Sequence, residues 1–344
     1  MADGTKIEWT DATVNYVNGC SVVSPGCTNC YAMRLAGTRL RHHPSRAGLT
    51  MPTKAGPVWT GEVRANETAL LQPLRWRRPR MIFWNAHGDL FHPNVPEAWI
   101  DRQFAVMAMS PQHTHQVLTK RPDRMRAYFD RMQEPHKHLS WVNDDDWDGA
   151  WTVLAHALED MDIDHRGMQL DWPLPNVWLG VSVEDQKRAD ERIPDLLATP
   201  AAVRFLSCEP LLGPLDLRTI DVSGDEEIAP LGWRWLDRLE DGEPEWPRVD
   251  WVICGGESGP KARPMHPGWA RSLRDQCAAA GVPFFFKQFG EWAPDCFCDG
   301  PRPHREIRRP EPGKPGCMFR CGKKAAGRLL DGVQHDGMPE MFRG

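Results

Sequence analysis

Short apolar runs recur along the whole chain and are separated by polar, turn-forming stretches. Most of them are four to seven residues long and continuously apolar, rather than alternating with polar residues. A strand in a parallel sheet is covered on both faces, so it needs a continuous apolar run of this kind. The pattern therefore predicts seven buried parallel strands, at residues 13–17, 81–85, 115–119, 177–183, 203–207, 251–254 and 283–287.

Helical patterns lie between the predicted strands. Residues 96–109, 185–197 and 267–281 each place apolar side chains on one face, and Gly281 supplies a helix stop. Repeated strand-then-helix units require right-handed crossovers between parallel strands. We therefore expect an α/β fold, built as a full or partial (β/α) barrel of parallel strands.

Polar side chains follow nearly every predicted strand at its carboxyl end. In barrels of this kind these ends meet at one mouth, where the chemistry takes place. A single strand-ending Glu or Lys is about as often a solvated cap or half of an ion pair, so the whole set is the stronger signal. The set comprises His87, Asp89, Lys120, Arg121, Ser182, Glu184, Ser207, Cys208, Glu209, Glu257, Ser258, Lys287 and Gln288, with Gly255 and Gly256 directly before Glu257.

Length and composition bound the domain organisation. The chain has 344 residues, which suits one barrel with insertions. We assign residues 1–292 to the barrel and 293–344 to a Cys-rich C-terminal extension. Two acidic, Trp-rich stretches at about 134–175 and 221–250 are interpreted as insertions on the barrel rather than as separate domains.

Charge and hydropathy limit the classes of protein. The net charge of −5 argues against a generally basic nucleic-acid coat, although basic islands occur at residues 34–46, 75–80 and 120–126. No signal peptide precedes the first motif, and no apolar run approaches the ~20 residues of a membrane span. We expect a cytoplasmic protein with no membrane partner.

Three cysteines in one loop form the main chemical motif. Cys20, Cys27 and Cys30 follow the first predicted strand, in a stretch whose glycines and proline favour turns. Clustered cysteines in a reducing compartment bind metal more often than they form disulfides. Structural zinc and ordinary iron–sulfur clusters take four protein ligands, whereas three ligands leave one metal position open for chemistry. The triplet therefore predicts an open iron or zinc site.

This loop resembles that of the radical S-adenosylmethionine (SAM) superfamily, and most of all its spore-photolyase-like branch. The spacing here is Cys-x6-Cys-x2-Cys, where the superfamily usually has Cys-x3-Cys-x2-Cys, and Tyr31 closes the loop. The resemblance implies a [4Fe-4S] cluster on Cys20, Cys27 and Cys30, with SAM chelating the fourth iron. It implies that one electron cleaves SAM to methionine and a 5′-deoxyadenosyl radical, which abstracts hydrogen from an unreactive C–H bond.

The resemblance also implies roles for the polar residues at the strand ends. Gly255, Gly256 and Glu257 resemble the Gly-Gly-Glu strand that binds the SAM amino group, although that strand is normally the second one. Catalytic roles are predicted for Cys208, as hydrogen-atom donor to a substrate radical, and for Glu209 and Lys287. Cofactor-binding roles are predicted for Asp89, Lys120, Ser182, Glu184, Gly255, Gly256 and Glu257.

Several of these assignments have alternatives. Lys120 and Lys287 suit either the SAM carboxylate or substrate phosphates, because a compact ammonium binds both. Asp89 and Glu184 suit ribose hydroxyls. Gly255 and Gly256 could serve only to let the backbone approach a ligand. Cys208 could be a small buried core residue, which is also the preferred interpretation for Cys254 and Cys277.

Sequence blocks across the chain resemble a family found in bacteriophages and prophages, whose members are mostly of unknown function. If the protein is phage-encoded, its compartment is the host cytoplasm. The matching blocks are KIEWTD at residues 6–11, DLFH at 89–92, LTKRP at 118–122, GGESG at 255–259, FFKQ at 285–288 and GKKAAGRLLDG at 322–332.

The C-terminal extension holds a second group of cysteines in two close pairs. Cys296 and Cys298 are separated from Cys317 and Cys321 by a loop rich in Pro, Arg and Gly. Such pairs predict a structural zinc site or an auxiliary iron–sulfur cluster, with free thiols as the weaker alternative.

The sequence as a whole predicts a radical SAM enzyme with a [4Fe-4S] cluster and SAM. Its expected substrate is a nucleobase or nucleotide in phage or host nucleic acid, because arginine islands beside tryptophans could hold stacked bases. An electron donor such as flavodoxin or ferredoxin is the expected partner. The alternative is a non-catalytic, zinc- or cluster-stabilised nucleic-acid-binding protein, in which His42 or His43 completes the first metal site.

Overall fold

Seven parallel strands form the main sheet, and each strand pairs with the next one along the chain. The computed structural model describes residues 4–133, 149–166, 170–222, 227–232, 247–294 and 318–340. The strands are β1 Ala12–Val14, β2 Met81–Trp84, β3 Thr114–Thr119, β4 Val177–Ser182, β5 Val203–Cys208, β6 Trp251–Gly255 and β7 Phe284–Gln288.

The sheet curls into a half-barrel with β1 and β7 as its edges. The edge of β7 is covered by residues near the C-terminus. The Phe286 amide donates to the His335 carbonyl at 2.9 Å, and the Gly337 amide donates to the Phe284 carbonyl at 3.0 Å. Because an open strand edge invites pairing with other chains, this segment protects β7. The predicted parallel α/β fold is confirmed, in its partial-barrel form.

Side chains alternate between the two faces of each strand, and both faces are covered. The concave face carries an aromatic cluster, in which Trp9 contacts Phe83 with ring centroids 4.8 Å apart. The convex face packs against the helices through the intervening residues, among them Ile82, Val117 and Leu206. Burial on both faces explains why the strands are continuously apolar in sequence.

Helices follow most strands and cover the convex face. Asp185 begins the helix Gln186–Ala198 by accepting a hydrogen bond from the Arg188 amide at 3.0 Å, and Gly281 ends the helix Pro267–Ala280 with φ 66°. The helices are α1 Tyr31–Gly37, α2 Glu67–Leu70, α3 Glu97–Ala108, α4 Pro122–Gln133, α5 Gly149–Glu159, α6 Gln186–Ala198, α7 Pro267–Ala280 and α8 Lys323–Ala326. Single 3₁₀ turns span Pro25–Cys27 and Pro73–Arg75.

Within the described residues, five short antiparallel strand pairs lie outside the main sheet. One of them, the hairpin Thr50–Thr53 with Gly56–Trp59, packs against α1 through Leu49 and Trp59. The other pairs are Val17–Asn18 with Arg64–Ala65, Ile220–Asp221 with Glu227–Ile228, Trp292–Pro294 with Met318–Arg320, and Leu329–Leu330 with Val333–Gln334.

The stretches interpreted as insertions and extension contribute to the core where they are described. Helix α5 lies within residues 134–175, and its Leu154 and Leu158 are fully buried in the main core. Ala326 and Leu330 of the C-terminal extension join the same core. No helix within the described residues is long and apolar enough to cross a membrane.

Candidate functional site

A cavity of about 480 Å³ opens at the carboxyl ends of the strands. Parallel strands direct all their carboxyl ends to the same edge, so residues far apart in sequence meet there. All three loop cysteines line the cavity, and so do Asp89, Lys120, Ser182, Glu209, Gly256, Glu257 and Lys287. The structure therefore brings together most of the strand-end residues that the sequence singled out.

The cysteine loop, residues 20–30, forms one wall of the cavity. Its 3₁₀ turn ends at Cys27, and Cys30 caps the start of α1. His42 and His43 are exposed and do not line the cavity. Within the described residues, no three His, Cys, Asp or Glu side chains are arranged to hold a single metal ion. A cluster places different irons on different thiolates, so its ligands need not converge on one point.

Burial changes the acidity of the loop thiols. It raises the pKa of Cys20 to about 12, with a further rise from Asp89 that the nearby Arg121 guanidinium partly offsets. The pKa of Cys30 is also raised by burial, while Lys120 acts in the opposite direction. The thiols are therefore protonated near neutral pH in the metal-free protein, and a metal that binds them must displace protons.

Asp89 holds the beginning of the cysteine loop through an arginine. Its carboxylate accepts a hydrogen bond from Arg121 at 2.6 Å, and both side chains are about nine-tenths buried. Arg121 also donates to the Ser21 hydroxyl at 2.8 Å and lies 3.7 Å from the Cys20 sulfur. The Asp89 carboxylate accepts three further hydrogen bonds, from the Thr119 hydroxyl and from the backbone amides of Lys120 and Phe91.

Glu184 holds the middle of the loop directly. Its carboxylate accepts a hydrogen bond from the Gly26 amide at 3.1 Å and another from Arg192 at 2.9 Å. Burial alone would raise the pKa of Glu184, but Arg192, Lys120 and hydrogen bonds from the loop outweigh it and lower the pKa. Glu184 is therefore a buried carboxylate anion that fixes the turn before Cys27.

Glu257 holds the end of the loop. Its carboxylate accepts hydrogen bonds from Asn29 at 2.9 Å and from the Arg263 guanidinium at 2.6 and 3.0 Å. Arg263 reaches the loop as well, since it donates to the Pro25 carbonyl at 3.0 Å. Burial would raise the pKa of Glu257, but the hydrogen bonds from Arg263 and Asn29 outweigh it and lower the pKa.

Three carboxylates, each paired with an arginine, thus fix the cysteine loop to three parts of the half-barrel. A carboxylate has roughly four acceptor positions. Asp89 and Glu257 each accept four hydrogen bonds from protein groups, the fourth on Glu257 coming from the Arg263 amide. On Asp89 each oxygen accepts two of these bonds, so Asp89 has no acceptor capacity left for ribose hydroxyls. On Glu257 three of the bonds go to Oε2 and one to Oε1, so Oε1 keeps some acceptor capacity although Arg263 already binds it.

The partners of these carboxylates were not assigned to the site from the sequence. Arg121 was named only as a strand-end residue, and Arg192, Arg263 and Asn29 were not named, although each makes a hydrogen bond that fixes the loop or its carboxylate. Asn29 carried a usable signal, because it lies between two of the cysteines, and Arg121 carried one as a strand-end residue. Arg192 and Arg263 carried none, since their pairing is set by tertiary structure.

The charged side chains of Glu209, Lys287 and Lys120 line the cavity. The Lys287 ammonium donates to both oxygens of Glu209, at 2.7 and 2.8 Å, which leaves Glu209 with acceptor capacity. The Lys120 ammonium has no hydrogen-bond or ion-pair partner in the described part of the chain. Two buried polar atoms of cavity-lining residues also lack a partner there: Trp9 Nε1 and Gln288 Oε1.

The two glycines after β6 have different roles. A side chain on Gly256 would place its Cβ 1.9 Å from the Phe289 carbonyl oxygen. Gly256 is therefore needed because the loop after β7 passes close to its backbone. A Cβ on Gly255 would meet Glu209 and Lys287 at ordinary distances of 3.4 and 3.5 Å. Gly255 does not line the cavity itself.

Cys208 does not reach the mouth of the half-barrel. Successive side chains of a strand point to opposite faces, and Ser207 and Glu209 line the cavity. Cys208 between them is fully buried on the helix side, in the main core with Cys254 and Cys277. This position corrects the prediction of a hydrogen-atom donor, and it fits the alternative of a small core residue for all three cysteines.

The second predicted metal site lies largely outside the described residues. Cys296, Cys298 and Cys317 are not among them. Cys321 is half-buried and packs against the main core, and its amide donates to the Glu291 carbonyl at 3.1 Å.

Comparison with known proteins gives a family match. A family model described as "Protein of unknown function (DUF5131)" matches residues 4–339, which include the cysteine loop and all seven strands. No curated protein and no solved structure matches the chain.

Proposed function

We propose that this chain, which belongs to the DUF5131 family, is a radical SAM-type enzyme. The observation that carries the proposal is the cysteine loop: the thiols of Cys20, Cys27 and Cys30, all from one short loop, line a single cavity. Three thiolates are the minimum that a cluster with one open iron requires. Cys20, Cys27 and Cys30 would hold the [4Fe-4S] cluster.

The cavity suits the second cofactor in size and lining. Small-molecule sites commonly measure about 300–1,000 Å³ and combine apolar walls with a few polar groups. Here Trp9 and Phe83 form part of an apolar wall, and Lys120, Glu209 and Lys287 are the charged groups beside it. When bound, the cluster and SAM supply a one-electron cleavage that makes a hydrogen-abstracting carbon radical.

The amino-acid part of SAM needs a carboxylate for its ammonium and a cation for its carboxylate. Asp89 is saturated by protein donors, and Glu184 is engaged by Arg192 and by the loop. We assign the SAM ammonium to Glu209 in place of Glu257, because the Arg263 guanidinium already binds both oxygens of Glu257. Lys287 and the unpaired Lys120 would bind the SAM carboxylate, since each is a cavity-lining ammonium.

The remaining residues of the site act by position and by excluding water. The three carboxylate–arginine pairs fix the cysteine loop, and the aromatic concave face keeps the cavity floor dry. Ser182 lines the cavity at the end of β4 and adds a hydroxyl there. A dry site strengthens the contacts of Glu209 and Lys287 with a charged ligand.

The proposed substrate is a nucleobase or nucleotide in a nucleic acid. Tyr31 supports this choice, because it lines the cavity and yet is 46% exposed, as a base-stacking ring at a mouth must be. We further propose a cytoplasmic location and a small electron donor such as flavodoxin or ferredoxin.

The test is anaerobic reconstitution of the full chain with iron and sulfide, followed by incubation with SAM and dithionite. The expected results are a broad absorbance near 400 nm that dithionite bleaches, and formation of 5′-deoxyadenosine. Replacing Cys20, Cys27 and Cys30 with alanine should abolish both. Cys277→Ala is the matched control, because that thiol is buried in the core away from the cavity.

Two outcomes would contradict the proposal. Formation of 5′-deoxyadenosine by the triple variant would exclude the loop as the cluster site. A colourless wild-type protein that holds stoichiometric zinc in this loop would favour the alternative, a metal-stabilised nucleic-acid-binding protein.

A further inference from the structure

Residues 12–61 contain no Asp or Glu at all. The same stretch carries five cations, Arg34, Arg39, Arg41, Arg46 and Lys54. The whole chain has 47 acidic residues and a net charge of −5, so this segment departs sharply from the average. A one-sign segment in an acidic protein creates a local positive field that attracts anions.

The acid-free segment borders the mouth of the cavity. It comprises β1, the cysteine loop, α1 and the hairpin that ends at Trp59, and both Tyr31 and Trp59 line the cavity. Lys261 joins it from the loop after β6, where its ammonium donates to the Ala55 carbonyl at 2.7 Å. We name the exposed cations of this region the basic rim: Arg34, Arg39, Arg41, Lys54 and Lys261.

The ion pairs within the described part of the chain do not include the cations of the basic rim. Among the residues that the structure describes, none of the five makes an ion pair. Elsewhere on the surface, arginines pair with carboxylates, as in Arg102 with Glu67, Arg131 with Asp101 and Arg271 with Asp331. Among the described residues, the rim therefore offers positive charge that no carboxylate pairs with, in addition to Lys6 and Lys120 of the cavity lining.

Topology separates the basic rim from the other two basic islands. Residues 75–80 precede β2, so they lie at the amino-terminal edge of the sheet, opposite the cavity. Residues 120–126 are largely engaged within the protein. Arg121 pairs with Asp89, Arg124 donates to the Val95 carbonyl at 2.6 Å, and Arg126 pairs with Asp195 at 3.3 Å.

An aromatic ring stands between the basic rim and the cavity. The Tyr31 hydroxyl donates to the Ala86 carbonyl at 2.7 Å, which fixes the ring, and about half of the side chain is exposed. Proteins that bind single strands combine a positive track for the backbone with aromatic rings on which bases stack. The rim and Tyr31 have this combination.

We propose that the basic rim binds the sugar–phosphate backbone of a single-stranded nucleic acid, with Tyr31 stacking on the base at the mouth of the cavity. The inference rests on the proposed function for the base that enters the cavity. Phosphate binding itself needs neither cluster nor SAM, so it can be measured on the protein as purified.

The experiment measures binding of fluorescein-labelled 20-nucleotide single strands, one DNA and one RNA, by fluorescence anisotropy over a series of salt concentrations. Arg39→Ala/Arg41→Ala removes two exposed charges from the rim. Arg77→Ala/Arg78→Ala removes two exposed charges from the opposite edge and is the matched control. Circular dichroism melts confirm that both variants are folded.

The rim variant should bind roughly tenfold more weakly, and the slope of log affinity against log salt should become shallower by about 1.4, at ~0.7 per lost phosphate contact. The control variant should match the wild type. Tyr31→Leu should weaken binding with the salt slope unchanged, because stacking carries no charge. Stronger binding of the RNA strand would indicate contacts to the 2′-hydroxyls.

Absence of wild-type binding at low salt would overturn the inference, and so would equal losses in the rim and control variants. Rim-dependent binding in a protein that does not cleave SAM would leave the rim standing and reject the proposed function. SAM cleavage without rim-dependent binding would support the proposed function and reject the role of the basic rim.

Discussion

The Glu184 carboxylate accepts a hydrogen bond from the Gly26 amide at 3.1 Å, although 158 positions separate the two residues. A Cβ on Gly26 would lie 3.0 Å from the same carboxylate, so only the glycine hydrogen leaves room for this contact. Glu184 keeps its negative charge because Arg192 lies beside it. The shape of the cysteine loop therefore depends on a buried ion pair at the end of β4.

The first prediction concerns that ion pair. Arg192→Met should lower the free energy of unfolding by about 3–5 kcal/mol, because it leaves Glu184 buried without its cation. Urea denaturation at neutral pH measures the change. Arg126→Ala is the control, since the Arg126 side chain is itself about half exposed, and it should cost less than about 1 kcal/mol. Equal losses in the two variants would mean that burial does not set the strength of the Glu184 pair.

The second prediction compares two adjacent glycines. Gly256→Ala should destabilise the protein by about 1–3 kcal/mol, because its Cβ meets the Phe289 carbonyl oxygen at 1.9 Å. In Gly255→Ala the new Cβ would lie 3.4 Å or more from the neighbouring side chains, so the melting temperature should change little. Thermal melts of both variants test this. A larger loss in Gly255→Ala would contradict the assigned close approach of the backbone.

The third prediction tests the binding of the SAM ammonium by Glu209. Glu209→Gln keeps the shape of the side chain and removes its charge, so SAM should bind about 2 kcal/mol more weakly, or roughly thirtyfold in Kd. Calorimetric titration of the cluster-loaded protein measures this, and the iron content should stay unchanged. Glu191→Gln, at the surface of α6, is the control. Unchanged SAM affinity in Glu209→Gln would mean that a group other than Glu209 binds the SAM ammonium.

The fourth prediction concerns His115 in β3, which is buried away from the cavity. Trp84 Nε1 donates to His115 Nδ1 at 2.9 Å, and an indole can only donate, so Nδ1 must stay unprotonated. Burial lowers the pKa of His115 to about 3. In the unfolded chain the pKa is about 6.5, so the unfolded state takes up protons first as the pH falls.

The contribution of His115 to the free energy of unfolding is therefore fully present above about pH 6.5, and it is lost as the pH falls from about 6.5 towards 3. Its contribution should fall by about 2 kcal/mol between pH 7 and pH 5. Urea denaturation at both pH values should show this loss in the wild type and a loss smaller by that amount in His115→Gln. The neighbouring His113 titrates in both proteins and cancels in the comparison. Identical pH dependence in the two proteins would contradict the prediction.

The strands could be predicted from sequence because a parallel strand covered on both faces must be apolar at every position. Each of the seven predicted runs overlaps a strand of the sheet, and the run at 81–85 ends one residue after Trp84. Convergence of polar residues at one mouth followed from the same parallel arrangement.

The role of Cys208 was predictable in principle, from the period of two along a strand. Ser207 and Glu209 occupy one face, so the residue between them must face the helices. The resemblance to a hydrogen-donating cysteine outweighed this simple geometric argument, which the structure supports.

The partners of the carboxylates could not be predicted from the sequence. Arg121 is 32 positions after Asp89 in the sequence. Arg192 is 8 positions after Glu184 and lies within α6, whereas Glu184 lies before the cap of that helix. No local pattern relates such residues, because the curl of the sheet decides which side chains meet. The sequence therefore singled out these carboxylates as ligand contacts, but it held no signal for their contacts with the loop.

The contacts that fix the cysteine loop also have a consequence for the time at which the loop takes shape. Arg263 donates to the Pro25 carbonyl across 238 positions of the chain. A ribosome adds about 5–20 residues per second, so roughly 10–50 s pass between synthesis of the loop and synthesis of its last contact. During that interval the three thiols emerge without their final support. We therefore expect the proposed cluster to be loaded only after residue 263 has been synthesised, and a nascent chain stalled before it should not retain iron.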